Sequence, residues 1–335
     1  MKITVLGDGA WGTTLAILAH NQGYDVTLWG YFADYIQQMR EQKENTQFLP
    51  GVDLPDGLRL TSEFEEALAD TSLIIVAVPV KYLASVFSEL AAGLIPADAI
   101  VVNVSKGVDV DTLRRPGEII KEKLGDDILY AALSGPSHAE EVARRLPTAV
   151  AAGSDTPMVA QKVQKILTTD FFRIYTSPDV IGVELGGALK NVFAVAAGIC
   201  DGMGFGDNSK AALITRCIPE MSRLGRQLGG NPSTFAGLSG VGDLIVTCTS
   251  RHSRNRYVGE ALGRGETLPD IEASMGLVVA EGVKTAQSLY QLARRLGVDT
   301  PVIDEVYNVL YEQKAPQKAA HDLMTRELKE EDQEV

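Results

Sequence analysis

The sequence predicts an α/β protein in which a mostly parallel sheet, covered by helices on both faces, is followed by an all-α C-terminal domain. Three observations carry this. Strand and helix signals alternate through the first half of the chain. One strand is an unbroken apolar run and a second is nearly so, the pattern of strands buried on both faces. Strand signals then stop after about Pro178. The length of 335 residues suits two domains at roughly 150 residues each.

Taken in order, Lys2 to Leu6 reads as a short apolar strand, Ala10 to Asn21 as a helix, and Asp25 to Trp29 as a second strand. Leu58 to Thr61 is a weaker third. Leu73 to Val78 is an unbroken apolar run, Ile100 to Val104 is similar, and Leu129 to Leu133, Thr148 to Ala152 and Phe172 to Tyr175 continue the series. Helical segments fall between them at Glu63 to Ala69, Tyr82 to Ala92, Pro116 to Leu124, Ala139 to Arg144 and Met158 to Thr168. Beyond them, Val180 to Cys200, Ser209 to Leu228, Arg256 to Leu262, Glu281 to Leu296 and Val302 to Gln313 all read as helices. The expected domains are residues 1–177, residues 178–326 and a Glu-rich, disordered tail over 327–335.

Composition narrows the function classes. The net charge of −13 disfavours nucleic acid or an anionic membrane as partner, because the phosphate term is repulsive. An anionic small-molecule substrate would need a local cationic pocket. Cys200, Cys217 and Cys248 form no CxxC pair or metal-ligating cluster, so no metal is expected, and their odd number points to a reducing cytosol. Met1 to Leu6 reads as a strand and not as a leader peptide. The apolar runs Leu73 to Val80 and Val192 to Cys200 are under half the ~20 residues of a membrane helix, so no membrane insertion is expected.

Gly7-Asp8-Gly9-Ala10-Trp11-Gly12 fits G-x-G-x-x-G. It directly follows a strand and opens a helix, which is the context a Rossmann-type dinucleotide site requires. Gly7 allows the tight turn, Gly9 lets a pyrophosphate approach the backbone, and Gly12 lets helix and strand pack closely. Free N–H groups and the helix dipole hold the phosphates. An acid usually follows the second strand to bind the ribose of NAD, but here Gly30-Tyr31-Phe32 stands there, with no basic residue for a 2′-phosphate either. The choice between NAD and NADP is therefore open. Pro79 and Asn103-Val104-Ser105-Lys106-Gly107 end two strands at the edge where ligands sit in such sheets; Lys106 is either a ligand contact or a solvated loop charge.

Two polar constellations lie in the helical half. In Gly186 to Gly198, small and apolar residues surround one lysine, Lys190, which must face a cleft or a partner because an unpaired buried ammonium is costly. It could also snorkel, or pair with Glu184. Further on, Gly237 to Ser250 carries three glycines and Asp243 into an apolar, threonine-rich stretch, followed by Ser253-Arg254-Asn255-Arg256. A capping Ser, an amide and a guanidinium before a helix suit a phosphate, although an ordinary capped helix with surface arginines has the same grammar.

Four segments together resemble the bacterial-type NAD(P)-dependent glycerol-3-phosphate dehydrogenase family: GGALKNVFAVAAG (Gly186 to Gly198), GLSGVGDLIVTCTS with SRNR (Gly237 to Arg256), SKG (Ser105 to Gly107) and SGPSHAEEV (Ser134 to Val142). The likeness runs from the glycine loop to about Glu312. It implies a Rossmann-type domain and a helical C-terminal domain in the 6-phosphogluconate dehydrogenase-like arrangement, usually as a homodimer. It also implies interconversion of dihydroxyacetone phosphate and sn-glycerol 3-phosphate in the cytoplasm, feeding glycerophospholipid synthesis.

By this resemblance Lys190 is the catalytic acid/base. The substrate is surrounded by Lys106, Gly135, Ser137, Asn191, Asp243, Ser253, Arg254 and Asn255, with Arg254 and Asn255 nearest its phosphate. The cofactor touches the glycine loop with Ala10 and Trp11, and also Lys106, Ala139, Arg254, Val279 and Glu281. Two positions depart from the family pattern. Tyr31-Phe32 stands where many relatives carry a basic residue, and Asp8 replaces a small one, so its carboxylate must point away from the pyrophosphate or weaken binding.

Reducing a ketone needs a hydride donor and an acid for the new alkoxide. Burial among Ala and Val, with Lys106 and Arg254 nearby, should lower the pKa of Lys190, and Asp243 should oppose the shift. Two other readings share these features: a dehydrogenase of 3-hydroxy acids or ketopantoate, and a cofactor sensor without catalysis.

Overall fold

The structure, a computed structural model, describes residues 1–90, 93–276, 280–328 and 330–331. The expected helix end at Ala92, Val279 and the tail residues 329 and 332–335 lie outside the described residues. The chain divides into two compact units, one formed by Met1–Ser105 with Pro116–Val180 and the other by Lys106–Arg115 with Ile181–Val335.

The first unit alternates strand and helix: β1 (Lys2–Leu6), α1 (Ala10–Asn21), β2 (Asp25–Trp29), α2 (Ala33–Gln42), β3 (Arg59–Thr61), α3 (Phe64–Leu68), β4 (Leu73–Val76), α4 (Val80–Glu89), β5 (Ile100–Asn103), α5 (Pro116–Leu124), β6 (Leu129–Ser134), α6 (Ala139–Ala143), β7 (Thr148–Gly153), α7 (Pro157–Leu167) and β8 (Phe172–Ser177). The strands form one sheet in the order β3-β2-β1-β4-β5-β6-β7-β8. Every pairing is parallel except β6 with β7. All four residues of β4 and of β5 are buried, as their apolar runs require. The chain leaves β1 toward β2 on one side and returns to β4 on the other. That reversal is the switch point at which sheets of this kind bind ligands.

α2 escaped the sequence reading. Only Ile36 and Met39 are buried along it, so its apolar stripe is too thin to show as periodicity.

The second unit is helical: α8 (Val180–Gly202), α9 (Asp207–Gln227), α10 (Pro232–Phe235), a π-helical turn (Leu238–Gly242), α11 (Asp243–Thr249), α12 (Arg254–Gly263), α13 (Leu268–Met275), α14 (Glu281–Leu296), α15 (Pro301–Tyr311) and α16 (Pro316–Met324). α8 is long and apolar enough, by length and composition, to cross a membrane, yet 94% of its most apolar stretch is buried inside the protein. Its glycines explain this. A Cβ on Gly198 or Gly202 would overlap the carbonyl oxygen of Arg256 or Glu260, and one on Gly259 would overlap that of Val195. The backbones of α8 and α12 thus touch, which fixes where the first turn of α12 lies against α8.

α15 begins without a side-chain cap of its own. Glu220 of α9 supplies one: its Oε2 and Oε1 accept from the N–H groups of Val302 (3.0 Å) and Ile303 (2.9 Å). Burial pushes this carboxyl up to about 8, against the pull of the two N–H donors. The folded form therefore holds a proton that the unfolded chain has released above about pH 4.3. The stability this provides is present in acid and is lost as pH rises through about 8. Glu220→Gln keeps an acceptor but cannot titrate. The wild-type melting temperature is expected to fall between about pH 4.5 and 8 relative to that of the variant and to level off above that; parallel curves would rule this out.

Candidate functional site

In the sheet unit, β1 ends in the glycine loop. Gly7 has φ +115°, and a Cβ there would lie 2.7 Å from the Ala77 carbonyl oxygen at the end of β4. Gly12 closes against the carbonyl of Gly7, so neither position tolerates a side chain. Gly9, by contrast, faces open space: nothing lies within 4 Å of an added Cβ. It is the N-cap of α1, and no side chain caps that helix start. An open backbone at an uncapped helix N-terminus is what a pyrophosphate needs, so these residues fit a dinucleotide.

Ala10 and Trp11 form the first turn of α1, and the Trp11 ring packs 6.1 Å from that of Phe172. Beyond β6, Gly135 has φ +145°, the Ser137 hydroxyl donates to its carbonyl (2.8 Å), and the carbonyl of Ala139 accepts from Thr14 Oγ1 of α1 (3.4 Å). The SGPSHAEEV segment therefore lies beside the helix that opens from the glycine loop.

The helical unit gathers the other candidates. Although Lys106 follows β5 in sequence, it clusters with this unit. Its ammonium lies 2.6 Å from Asp243 Oδ2, which excludes the solvated loop charge. Lys190, on α8, reaches the other oxygen, Oδ1, at 3.1 Å, and donates to Thr247 Oγ1 at 2.8 Å. Lys190 and Asp243 are buried. Glu184 is not the partner of Lys190: it pairs with Arg115, at 2.5 Å. The Thr247 hydroxyl in turn donates to the Asp243 carbonyl at 2.6 Å. Asp243 and Thr247 stand four residues apart on α11, a helix that the sequence reading took for a threonine-rich stretch.

Around this group the amides interlock. Asn191 Nδ2 donates to the Lys106 carbonyl (3.2 Å), Asn255 Nδ2 donates to Asn191 Oδ1 (2.8 Å), and the Gly282 N–H donates to Asn255 Oδ1 (2.9 Å). The Lys106 backbone, and the residue that follows Lys190, are thereby tied to the start of α12 and of α14. α12 begins two residues before the expected Arg256, so Arg254 and Asn255 lie in its first turn, with Ser253 as N-cap accepting from the Arg256 N–H (3.2 Å). The two arginines differ. Arg256 is held by Asp201 at 2.6 Å, whereas Arg254 is exposed and, among the described residues, has no side-chain hydrogen bond or ion pair. Glu281, the first residue of α14, is partly exposed.

Electrostatics follow from this geometry. Burial lowers the Lys190 ammonium to about 8; Lys106 adds to the shift, while Asp243 and Glu281 oppose it. Arg254 is not among the largest contributors. Asp243 is pushed up by burial, but the two lysines more than reverse this and hold it below the usual carboxylate range. The result is a buried amine that can both hold and release a proton near neutrality, which suits general acid/base work. Thr247 is the member the sequence reading missed; the Asp-x-x-x-Thr spacing would have shown it once α11 was read as a helix.

Comparison with known proteins agrees with this chemistry. A family model described as NAD-dependent glycerol-3-phosphate dehydrogenase N-terminus matches residues 2–160, and one described as the C-terminus matches residues 179–321. A glycerol-3-phosphate dehydrogenase (NAD(P)+) of Citrifermentans bemidjiense is 50% identical over 332 residues, covering 98% of each chain. One of Prosthecochloris aestuarii is 48% identical over 333 residues, 99% of this chain and 100% of that one. The crystal structure of glycerol-3-phosphate dehydrogenase from Coxiella burnetii superposes with a TM-score of 0.93 at 36% identity, covering 97% of this chain and 99% of that one. With both halves matched and relatives near 50% identity along the whole length, the chain belongs to the NAD-dependent glycerol-3-phosphate dehydrogenase family.

Proposed function

We propose that this chain interconverts dihydroxyacetone phosphate and sn-glycerol 3-phosphate, with Lys190 as the acid/base. The observation that carries the role of Lys190 is its ammonium, buried and lowered to about 8, held between Thr247 and the Asp243–Lys106 pair. When bound, the dinucleotide supplies the hydride in reduction and takes it back in oxidation. In reduction the carbonyl carbon gains that hydride, and the Lys190 ammonium gives its proton to the carbonyl oxygen. In oxidation the free amine removes the hydroxyl proton. Asp243 and Thr247 fix the direction of the Lys190 Nζ, and Lys106 keeps its proton labile. Asn191 and Asn255 hold these groups in register.

Arg254 is the group best placed to take the phosphate, because it is the arginine of the α12 start that no carboxylate of the described residues occupies. A forked guanidinium at a helix N-terminus offers charge-assisted hydrogen bonds and a favourable dipole. Ser253, Asn255, Gly135 and Ser137 complete the proposed substrate contacts. Ala10, Trp11, Ala139, Arg254, Val279 and Glu281 join the glycine loop as proposed cofactor contacts. The family setting supports a homodimer in the cytoplasm that supplies glycerol 3-phosphate for glycerophospholipids.

The test is an absorbance assay in which NADH and NADPH are oxidised separately with dihydroxyacetone phosphate and with plain dihydroxyacetone. Arg254→Ala should raise the KM for the phosphorylated ketone roughly tenfold to a hundredfold, the equivalent of about 1.5–3 kcal/mol for a hydrogen bond to a charged group. The KM for plain dihydroxyacetone should hardly move. A variant that keeps its full preference for the phosphorylated ketone would remove Arg254 from this role. Failure of the wild type on both ketones, with turnover of a ketopantoate-type acid, would remove the substrate reading itself.

A further inference from the structure

In a sheet of this order the adenosine ribose of a dinucleotide lies at the end of β2, where an acidic side chain ordinarily takes its hydroxyls. This chain has Gly30 there, followed by Tyr31 and Phe32, which are both exposed and stand edge to face at 5.3 Å. Residue 30 therefore has no side chain to offer. The space is filled from the neighbouring strand end. A Cβ built on Gly30 would lie 2.5 Å from Asp8 Oδ2 and 2.8 Å from Asp8 Cγ. Asp8 follows β1, whose Leu6 is in register with Trp29, and the Gly7 N–H donates to the Trp29 carbonyl (2.9 Å).

The Asp8 backbone is pinned on its other side. Its carbonyl accepts from Asn45 Nδ2 (2.7 Å) and Thr13 Oγ1 (3.2 Å), so its carboxyl is turned toward Gly30. Asp8 Oδ2 is enclosed and has no hydrogen-bond partner among the described residues, while the residue as a whole is partly exposed. An enclosed carboxylate oxygen without a donor is costly, so the carboxyl gains from any donor that reaches its partly exposed side. The cations of this stretch are all engaged. Between residues 30 and 62 they are Arg40, which donates to the Leu60 carbonyl, Lys43, which pairs with Asp56, and Arg59, which pairs with Asp25 at the opposite end of β2.

We propose that Asp8 selects the cofactor: its carboxylate replaces the missing acid at the end of β2, accepts the adenosine ribose hydroxyls, and makes this chain prefer NAD(H) to NADP(H). A hydroxyl brings a proton to the carboxylate. A 2′-phosphate brings only acceptors and negative charge, and like charges at such a distance repel. The proposal rests on the dinucleotide-binding reading of the glycine loop and adds which dinucleotide that loop takes.

Direct binding tests it without turnover. NADH and NADPH are titrated by nucleotide fluorescence, and ADP-ribose and its 2′-phosphorylated form by calorimetry, against the wild type, Asp8→Asn and Asp8→Ala. The wild type is expected to bind each unphosphorylated ligand at least tenfold tighter. Both variants should narrow that ratio at least fivefold, by losing NADH affinity and gaining NADPH affinity. Asp8→Asn keeps the shape of the side chain, and thermal melting confirms that it is folded. Equal wild-type affinities, or an unchanged ratio in a folded variant, would overturn the proposal. Binding of none of the four ligands by the wild type would overturn the dinucleotide reading as well, so the two failures are distinct.

Discussion

Lys190→Ala is expected to lower kcat by about 10²–10⁴-fold, the usual contribution of a positioned acid or base, while NADH binds as it does to the wild type. The loss should appear equally in kcat and in kcat/KM, because proton transfer belongs to the transition state. The fold should survive. Removing the amine leaves Asp243 paired with Lys106 at 2.6 Å, so no buried charge is stranded. The pH profile gives a second readout. With the amine lowered to about 8, oxidation of glycerol 3-phosphate needs the free base, so its rate should rise as pH passes through about 8. Reduction needs the ammonium, and its rate should fall over the same interval. Lys190→Arg stays protonated throughout and should lose the oxidation reaction at every pH. Near-normal turnover by Lys190→Ala, or an oxidation limb that persists in the arginine variant, would remove Lys190 from the chemistry.

Asp243→Asn should damage stability and rate together. One buried carboxylate serves two ammonium groups, Lys106 through Oδ2 and Lys190 through Oδ1. Breaking a buried pair by deleting one partner costs about 3–5 kcal/mol, since the charge left behind stays desolvated. For a unit of this size the melting temperature should drop by roughly 10 °C. The sign of the accompanying pH effect follows from the same contacts. Asp243 raises the pKa of Lys190 against the effect of burial, so its loss should carry the oxidation limb from about 8 toward acid. A variant that melts like the wild type and keeps its limb in place would show that Asp243 is not the anchor of this group. The two lysine contacts are not additive, because they share one residue, and a double-mutant cycle with Lys106→Met should show the coupling.

The parts of the fold legible in the sequence are those whose signal is local. β4 and β5 announce themselves by composition, and the glycine loop by spacing and by its place after a strand. α2 and α16 were missed because each buries so little that no apolar stripe forms. α11 was missed because its threonines argue against a helix by propensity, while burial of Leu244, Thr247 and Cys248 decides otherwise.

In the site, Lys190 stood out as the one lysine in an apolar helix, whereas its partner Asp243 entered only through the family resemblance. Glu184 was the nearest acid in the sequence, yet six positions along a helix is a third of a turn out of phase, and Arg115 takes it from 69 residues away. Asp243, 53 residues from Lys190, carries no sequence mark of pairing. Glu220 is invisible for a similar reason: the N–H groups it serves belong to a helix 82 residues further on.

The excursion of residues 106–115 constrains how the gene can be cut and recombined. Ten residues encoded amid the sheet strands build part of the helical body: Val108 belongs to its apolar core, and the Val108 carbonyl accepts from the Ser288 hydroxyl at 2.9 Å. A fragment beginning at residue 178 lacks both that packing and the ammonium of Lys106. Likewise, a chimera joined by one crossover near that point draws the Lys106–Asp243 pair from two different parents. Exchange between relatives as intact modules therefore takes three junctions, at 105/106, 115/116 and 180/181.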